Sequence, residues 1–326
     1  MDNIKIAVIN PSRPDGLART ILDGLYDLEL KGETIDFKLS NKFDYSLPLD
    51  DHCLIKNQFV DYARVADLIF LIWDKAGTDT DLAKEINCLG KTIYIDGSEL
   101  GKNRRYDFTI QKDIIDGVYS GCGGINQEML KKCAAYFKRE KPYSTGIEPL
   151  PFGIETRYLQ SYQEGLKKDI DFLCIFGQDE YPLMRRYVRS MVEEYCRRNK
   201  LVCVTSKTKN PEEFYALLAR SKVGVSVGGG GFDTLRFWEM LGNNCLLLTE
   251  NIDIFRLGSA DLDYKRIWQF GNLFDFQTQL EKVGQHLFSE YNELALKKEY
   301  ELILKEHGSS ARVKKVIEFA KSQGII

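Results

Sequence analysis

The sequence predicts an α/β fold: two Rossmann-like domains in series, followed by a helical C-terminus. Three observations carry that prediction. Short β-branched or aliphatic runs alternate with amphipathic stretches, the pattern of parallel strands covered by helices. The chain has 326 residues, about twice the common domain size of about 100–150 residues. The alternation also halts at a proline-rich segment and then starts again.

In the first half, strands are expected at Lys5–Ile9, Thr34–Leu39, Leu68–Trp73 and Thr92–Ile95, with helices around Leu17–Leu28, Lys56–Val65 and Asp81–Leu89. Lys141–Gly153 then holds three of the eight prolines. Proline and glycine at that density interrupt both helix and sheet. The boundary is placed there, giving domains 1–146 and 147–326. The second half reads as strand Asp171–Phe176, helix Tyr181–Asn199 and strand Leu201–Thr205. Helix Pro211–Ser221 follows, with Pro211 suited to a first turn. Strand Val223–Val227, helix Thr234–Leu241 and strand Cys245–Thr249 come next. From about Phe276 the chain is mostly helical, with a break near His307-Gly308.

Composition removes several classes of function. Hydrophobic residues make up 44% and charged residues 29%, an ordinary globular balance that excludes disorder and low-complexity scaffolds. The net charge is −3, whereas proteins that grip nucleic-acid phosphates usually carry a basic excess. Nucleic acid is therefore disfavoured as a partner. None of the eight cysteines forms a C-x-x-C pair, and there are three histidines, so no zinc or redox motif is written in the chain and no metal is expected. The first residues lack a signal-peptide layout. The longest apolar run, Leu68–Trp73, is far short of the roughly 20 residues of a membrane span. A cytoplasmic, thiol-reduced protein without a membrane span is expected.

The most informative stretch begins at Val223. A strand ends at Val227, Gly228, Gly229, Gly230 and Gly231 follow, and Asp233 is a candidate N-cap for the next helix. Glycines between strand and helix let backbone amides approach an anion, and the helix N-terminus adds partial positive charge. Arg236 lies in the first helical turn, where a cation opposes the helix dipole unless an anion is bound. Glu239, three residues on, shares its face. Neither G-x-x-x-x-G-K-[ST] nor G-x-G-x-x-G after the first strand is present, which disfavours P-loop and dinucleotide enzymes.

The segment GFDTLRFWEMLGNNCLLLTE resembles the nucleotide-binding segment of GT-B glycosyltransferases, in particular the spore-maturation-protein-like group. PLPFGI, IDFLCIFG, YALLARSKVGVSV and KEHGSSARVKKVIEFA extend the resemblance over about residues 147–320. It implies a two-domain glycosyltransferase that moves a sugar from a nucleotide-diphosphate donor to a hydroxyl acceptor on a glycan, a protein or another molecule. No cofactor and no metal are implied. Glu239 would hold the ribose hydroxyls. Arg236 and the amides of Gly228–Gly231 would face the diphosphate, with Gly177 and Arg185 or Arg186 on a second phosphate-side region. Many retaining members carry a second glutamate eight positions earlier, where this chain has Gly231.

The first half would bind the acceptor, with Asp15 or Asp74 as the candidate base, since both follow strand ends. Two other readings compete. Ala66–Asp74 with Gly77–Glu85 and Lys91–Ile95 resembles nucleoside deoxyribosyltransferases, which would make Glu85 a nucleophile. Alternatively, the chain is a non-catalytic nucleotide-sugar-binding subunit. The basic run Arg185, Arg186, Arg189, Arg197 and Arg198 reads as a solvated helix face, Glu250 as a turn cap, and His307 as structural or catalytic alike.

Overall fold

A computed structural model describes residues 3–12, 15–74, 79–99, 125–140, 146–178, 183–229, 231, 233–252, 254–255 and 261–326. They divide into two units. The first takes the chain up to Gly153 and is completed by Gly308–Ile326, and the second takes Ile154–His307.

The first unit contains β1 (Ile4–Ile9), α1 (Gly16–Leu30), β2 (Ile35–Leu39), α2 (Lys56–Val65), β3 (Leu68–Ile72), α3 (Asp79–Ile86), β4 (Thr92–Asp96), α4 (Gln127–Lys132), β5 (Ala135–Lys138) and β6 (Ile147–Pro149). The six strands form one parallel sheet in the order β2-β1-β3-β4-β5-β6. β3 and β4 are buried at every position, as central parallel strands covered on both faces must be. This is why LIFLI reads as an unbroken apolar run rather than an alternation.

Two strands of this unit, and β11 (Ile267–Phe270) of the other, are absent from the expected set. β5 leads into Lys138-Arg139-Glu140, a run that looks like solvated surface, yet Lys138 is fully buried. Its ammonium donates to Asp96 Oδ2 at 3.1 Å and to Ser98 Oγ at 2.7 Å. β6 lies inside the segment expected to be a hinge, of which 141–145 lie outside the described residues. Pro149 is tolerated there because β6 is an edge strand.

The second unit contains β7 (Ile170–Leu173), α5 (Leu183–Asn199), β8 (Cys203–Val204), α6 (Pro211–Ala219), β9 (Ser221–Ser226), α7 (Leu235–Gly242), β10 (Leu246–Glu250), β11 (Ile267–Phe270), α8 (Leu273–Ser289) and α9 (Lys297–His307). Its parallel sheet runs β11-β10-β9-β7-β8. Phe172, Val188, Val192, Val223, Val225, Leu248, Phe270 and Phe276 pack into one apolar cluster of this unit. Local chemistry sets the helix starts. Asn210 accepts from Glu213 N at 2.8 Å ahead of Pro211, and Asn272 accepts from the Phe274 and Asp275 amides at 3.0 Å. Asp233 is not the cap of α7: Thr234 holds that position. Asp233 is buried and accepts the Trp238 indole N–H at 2.8 Å, because burying an indole requires a partner for its one donor.

The last helix, α10 (Ser309–Ser322), corrects the expected 147–326 domain. It packs against α1 of the first unit. Ser309 Oγ donates to Asp23 Oδ2 at 2.6 Å, and Arg312 Nε donates to the Phe152 carbonyl at 3.0 Å. A Cβ built on Gly24 would lie 2.4 Å from the Ser309 carbonyl oxygen, so this glycine is what permits the close approach of α10. The unit boundaries are thus 153/154 and 307/308, and the Ile154 amide donates to the His307 carbonyl at 2.8 Å.

Among the described residues, no helix is long and apolar enough to cross a membrane, no cluster of His, Cys, Asp or Glu is placed to hold a metal, and the seven described cysteines are free thiols. Cys122 lies outside the described residues.

Candidate functional site

The strand order of the second sheet reverses between β7 and β9. Open α/β sheets bind ligands beyond the carboxyl ends of the strands at such a point. Two loops lie there: the residues after β7, through Gly177, and residues 227–229 with Gly231 and Asp233 after β9.

Arg185, in the first turn of α5, ties these loops together. Its Nε and Nη2 donate to the Val227 carbonyl at 3.3 and 3.1 Å, and its Nη1 donates to the Gln178 carbonyl at 3.2 Å. The side chain is 9% exposed and its guanidinium lies 5.3 Å from the Phe176 ring centroid. Arg185 therefore leaves the solvated face expected for this helix. Arg197 and Arg198 do stay exposed, where both pair with Glu194. A Cβ on Gly229 would meet Arg185 Nη2 at 2.6 Å, so the glycine lets the buried guanidinium reach the strand end.

Two of the loop amides are engaged within the protein. Gly229 N donates to the Gly231 carbonyl at 3.1 Å. Gly228 N donates to Glu250 Oε2 at 3.0 Å. Glu250, at the end of β10, is 3% exposed. Burial pushes its carboxyl up to about 7, against the lowering effects of the Gly228 hydrogen bond and of Arg185. Gly230 lies outside the described residues. Gly177 is described, and a Cβ there would meet nothing within 4 Å, so packing does not demand its glycine.

A second group stands on the first two turns of α7. Arg236 Nη1 donates to Glu239 Oε2 at 2.7 Å, and the guanidinium lies 3.8 Å from the Phe214 ring centroid. Arg236 Nε is buried and without a hydrogen-bond partner among the described residues. Tyr215 donates its hydroxyl to Glu239 Oε1 at 3.3 Å. Glu239 is 8% exposed, so this Arg–Glu pair is not the solvated surface pair its i,i+3 spacing would also fit. Burial and the charge of Glu239 raise the Tyr215 phenol well above its ordinary range, which keeps it a hydrogen-bond donor. Nearby, Arg157 Nε donates to Glu155 Oε2 at 2.7 Å and its Nη2 to the Tyr158 hydroxyl at 3.3 Å.

No protein-family model matches the sequence, and no curated protein matches it. Solved structures do. A glycosyltransferase from Rickettsia africae is matched at 10% identity and a TM-score of 0.61, over 99% of each chain. An α-glucosyltransferase in complex with UDP and a 13-mer DNA containing an HMU base is matched at 10% identity and a TM-score of 0.59, over 98% of this chain and 100% of that one. Anabaena HepE in complex with UDP-glucose is matched at 7% identity and a TM-score of 0.56, with 98% and 100% covered. The chain has the GT-B fold.

Within this GT-B chain, the other expected residues fall outside the group just described. Asp15 caps α1: its Oδ1 accepts from Leu17 N at 3.0 Å and Ala18 N at 3.2 Å, and its Oδ2 accepts from Arg139 Nη1 at 3.3 Å. A carboxylate engaged on both oxygens is held as a cap and an ion pair before it is a base. Asp74 is buried just after β3. Glu85 lies on the surface, 52% exposed at its side chain and paired with Lys56 at 2.8 Å, which is no setting for a nucleophile. His307 is buried, with Nε2 2.9 Å from the Tyr264 hydroxyl and its ring among those of Trp238, Phe255 and Tyr264.

Sequence reasoning missed Phe214 and Tyr215. In EEFYALLA they read as the apolar face of α6, and nothing in their spacing points across 24 residues to Glu239. Glu250, expected as a turn cap, instead accepts the Gly228 amide, and the available signal is an acidic residue closing the apolar run CLLLTE.

Proposed function

We propose that this protein is a glycosyltransferase that moves a sugar from a nucleotide-diphosphate donor, here a UDP-sugar, to a hydroxyl acceptor. The observation that carries the reading is a buried carboxylate, Glu239, held in the second turn of the helix that follows the glycine loop at the switch point of the second sheet. A carboxylate accepts two O–H hydrogen bonds at once, which suits the two ribose hydroxyls. UDP is the nucleotide named with two of the matched structures, and that supports the choice of donor. The likeness of the GFDTLRFWEMLGNNCLLLTE segment to the spore-maturation-protein-like group forms part of the same proposal.

When the bond to the sugar breaks, negative charge develops on the departing diphosphate. Preorganised positive charge lowers the barrier. In this protein it comes from the buried Arg185 guanidinium, from the Nε–H of Arg236 and from the N-terminus of α7, more than from the Gly228 and Gly229 amides, which are already engaged. The glycines let the diphosphate come close. Such a site works without a divalent cation, in the cytoplasm, with a glycan or protein hydroxyl as acceptor.

The test is a thermal-shift screen over UDP, GDP, CMP and dTDP, followed by UDP release from UDP-glucose with and without EDTA. Specific stabilisation by UDP and EDTA-insensitive turnover are expected. Stabilisation by nucleosides alone would favour the deoxyribosyltransferase reading, and binding without turnover would favour a non-catalytic subunit.

A further inference from the structure

We infer that Tyr215 and Arg236 are positioning residues that set the Glu239 carboxylate to grip both ribose hydroxyls, so that the site selects ribonucleotides over deoxyribonucleotides. The inference rests on the nucleotide reading above and goes beyond it by naming what aims the carboxylate and what that aim discriminates.

The geometry is one protein donor per carboxylate oxygen. Tyr215 donates to Oε1 at 3.3 Å and Arg236 to Oε2 at 2.7 Å. An ionised carboxylate offers about four lone-pair sites, so each oxygen keeps acceptor capacity for one ligand hydroxyl. A glutamate side chain has several rotatable bonds, and fixing it costs entropy. Two anchors on different helices, α6 and α7, meet that cost in the folded state rather than at the moment of binding.

The anchors are themselves braced. Phe214 and Tyr215 are consecutive on α6, and each supports one member of the Arg236–Glu239 pair. The Phe214 ring lies under the Arg236 guanidinium with 3.8 Å between guanidinium and ring centroid, while the Tyr215 hydroxyl reaches Glu239. The Tyr215 ring is flanked by Tyr158 at 6.0 Å and by Phe214 at 5.4 Å between centroids. The Glu239 carboxylate is thus pinned from both sides in a nearly water-free setting.

Selectivity follows from what a missing hydroxyl does. A 2′-deoxyribose leaves one aimed lone pair of a buried carboxylate without a partner, and sites built to hydrogen-bond a hydroxyl reject ligands lacking it far more strongly than apolar pockets reject a size change. If the carboxylate were free to turn, it could use both oxygens on the remaining hydroxyl and the discrimination would fade.

The test measures UDP and 2′-deoxy-UDP dissociation constants for wild-type protein and for Tyr215→Phe, which keeps the ring and removes the hydroxyl. Wild-type protein is expected to prefer UDP by at least about tenfold. Tyr215→Phe is expected to cut that preference at least about threefold, with a melting temperature near that of wild type. Arg236→Lys, which loses the planar fork, is the second variant and moves the preference in the same direction. A Tyr215→Phe protein that keeps the full preference overturns the inference and leaves the nucleotide reading standing. A wild-type protein that binds UDP and 2′-deoxy-UDP equally does the same. One that binds neither overturns both.

Discussion

Glu250 accepts the Gly228 amide at 3.0 Å, and this contact fastens the end of β10 to the glycine loop after β9. The carboxyl is buried and its proton is held to about pH 7 instead of the ordinary 4.5. The glycine loop is therefore fastened by an acid that carries charge only near and above neutrality.

The stability consequence has a definite sign. Because the folded pKa is raised, the folded state keeps a proton that the unfolded chain gives up above pH 4.5. This stabilising contribution is complete below about pH 4.5 and is lost as pH rises through about 7, a change of up to about 3 kcal/mol. Glu250→Gln, which still offers Gly228 an acceptor, is expected to remove this part of the pH dependence. Urea denaturation at pH 5, 7 and 8.5 on both proteins checks it; parallel profiles would contradict the assignment.

Gly229→Ala tests the contact with Arg185. The added Cβ would stand 2.6 Å from Arg185 Nη2, so the guanidinium must shift off the Val227 carbonyl. Because the obstacle is the far end of a long side chain, we expect a stability loss of only about 1 kcal/mol. UDP affinity should fall by about tenfold or more, because buried positive charge leaves the loop. Comparing melting temperature with UDP titration separates the two effects.

Gly24→Ala addresses the placement of the last helix. Here the obstacle is backbone, the Ser309 carbonyl oxygen at 2.4 Å, and neither helix can yield cheaply. A loss of about 3 kcal/mol is expected, at the upper end of overpacking effects. Denaturant titration followed by circular dichroism measures it. An unchanged midpoint would mean that α10 does not pack on α1 as described.

Glu85→Gln separates the competing enzyme readings. Glu85 is exposed and paired with Lys56, and surface ion pairs contribute little. UDP affinity and turnover are expected to stay within about twofold of wild type. Abolished turnover would instead support a glutamate nucleophile.

Much of this arrangement was legible because it is local. The β9–glycine loop–α7 unit is written as an apolar run, four glycines and a helical period, and Arg236 and Glu239 fall on one face by spacing alone. What was not legible depends on contacts distant in sequence. In a helix with five arginines, nothing distinguishes the buried Arg185 from the exposed Arg197 until the neighbouring loops are in place. The amphipathic pattern of α10 states that it must cover an apolar surface but not which one; Gly24, 285 residues before Ser309, decides that. The burial of Lys138 is equally non-local, because its partner Asp96 is 42 residues away.

Isothermal titration of UDP into wild-type and Glu239→Ala protein decides whether Glu239 belongs to a nucleotide site. Measurable binding by wild type is expected, with a loss of at least about tenfold in the variant, corresponding to at least about 1.4 kcal/mol. Equal affinity in the two proteins would contradict it.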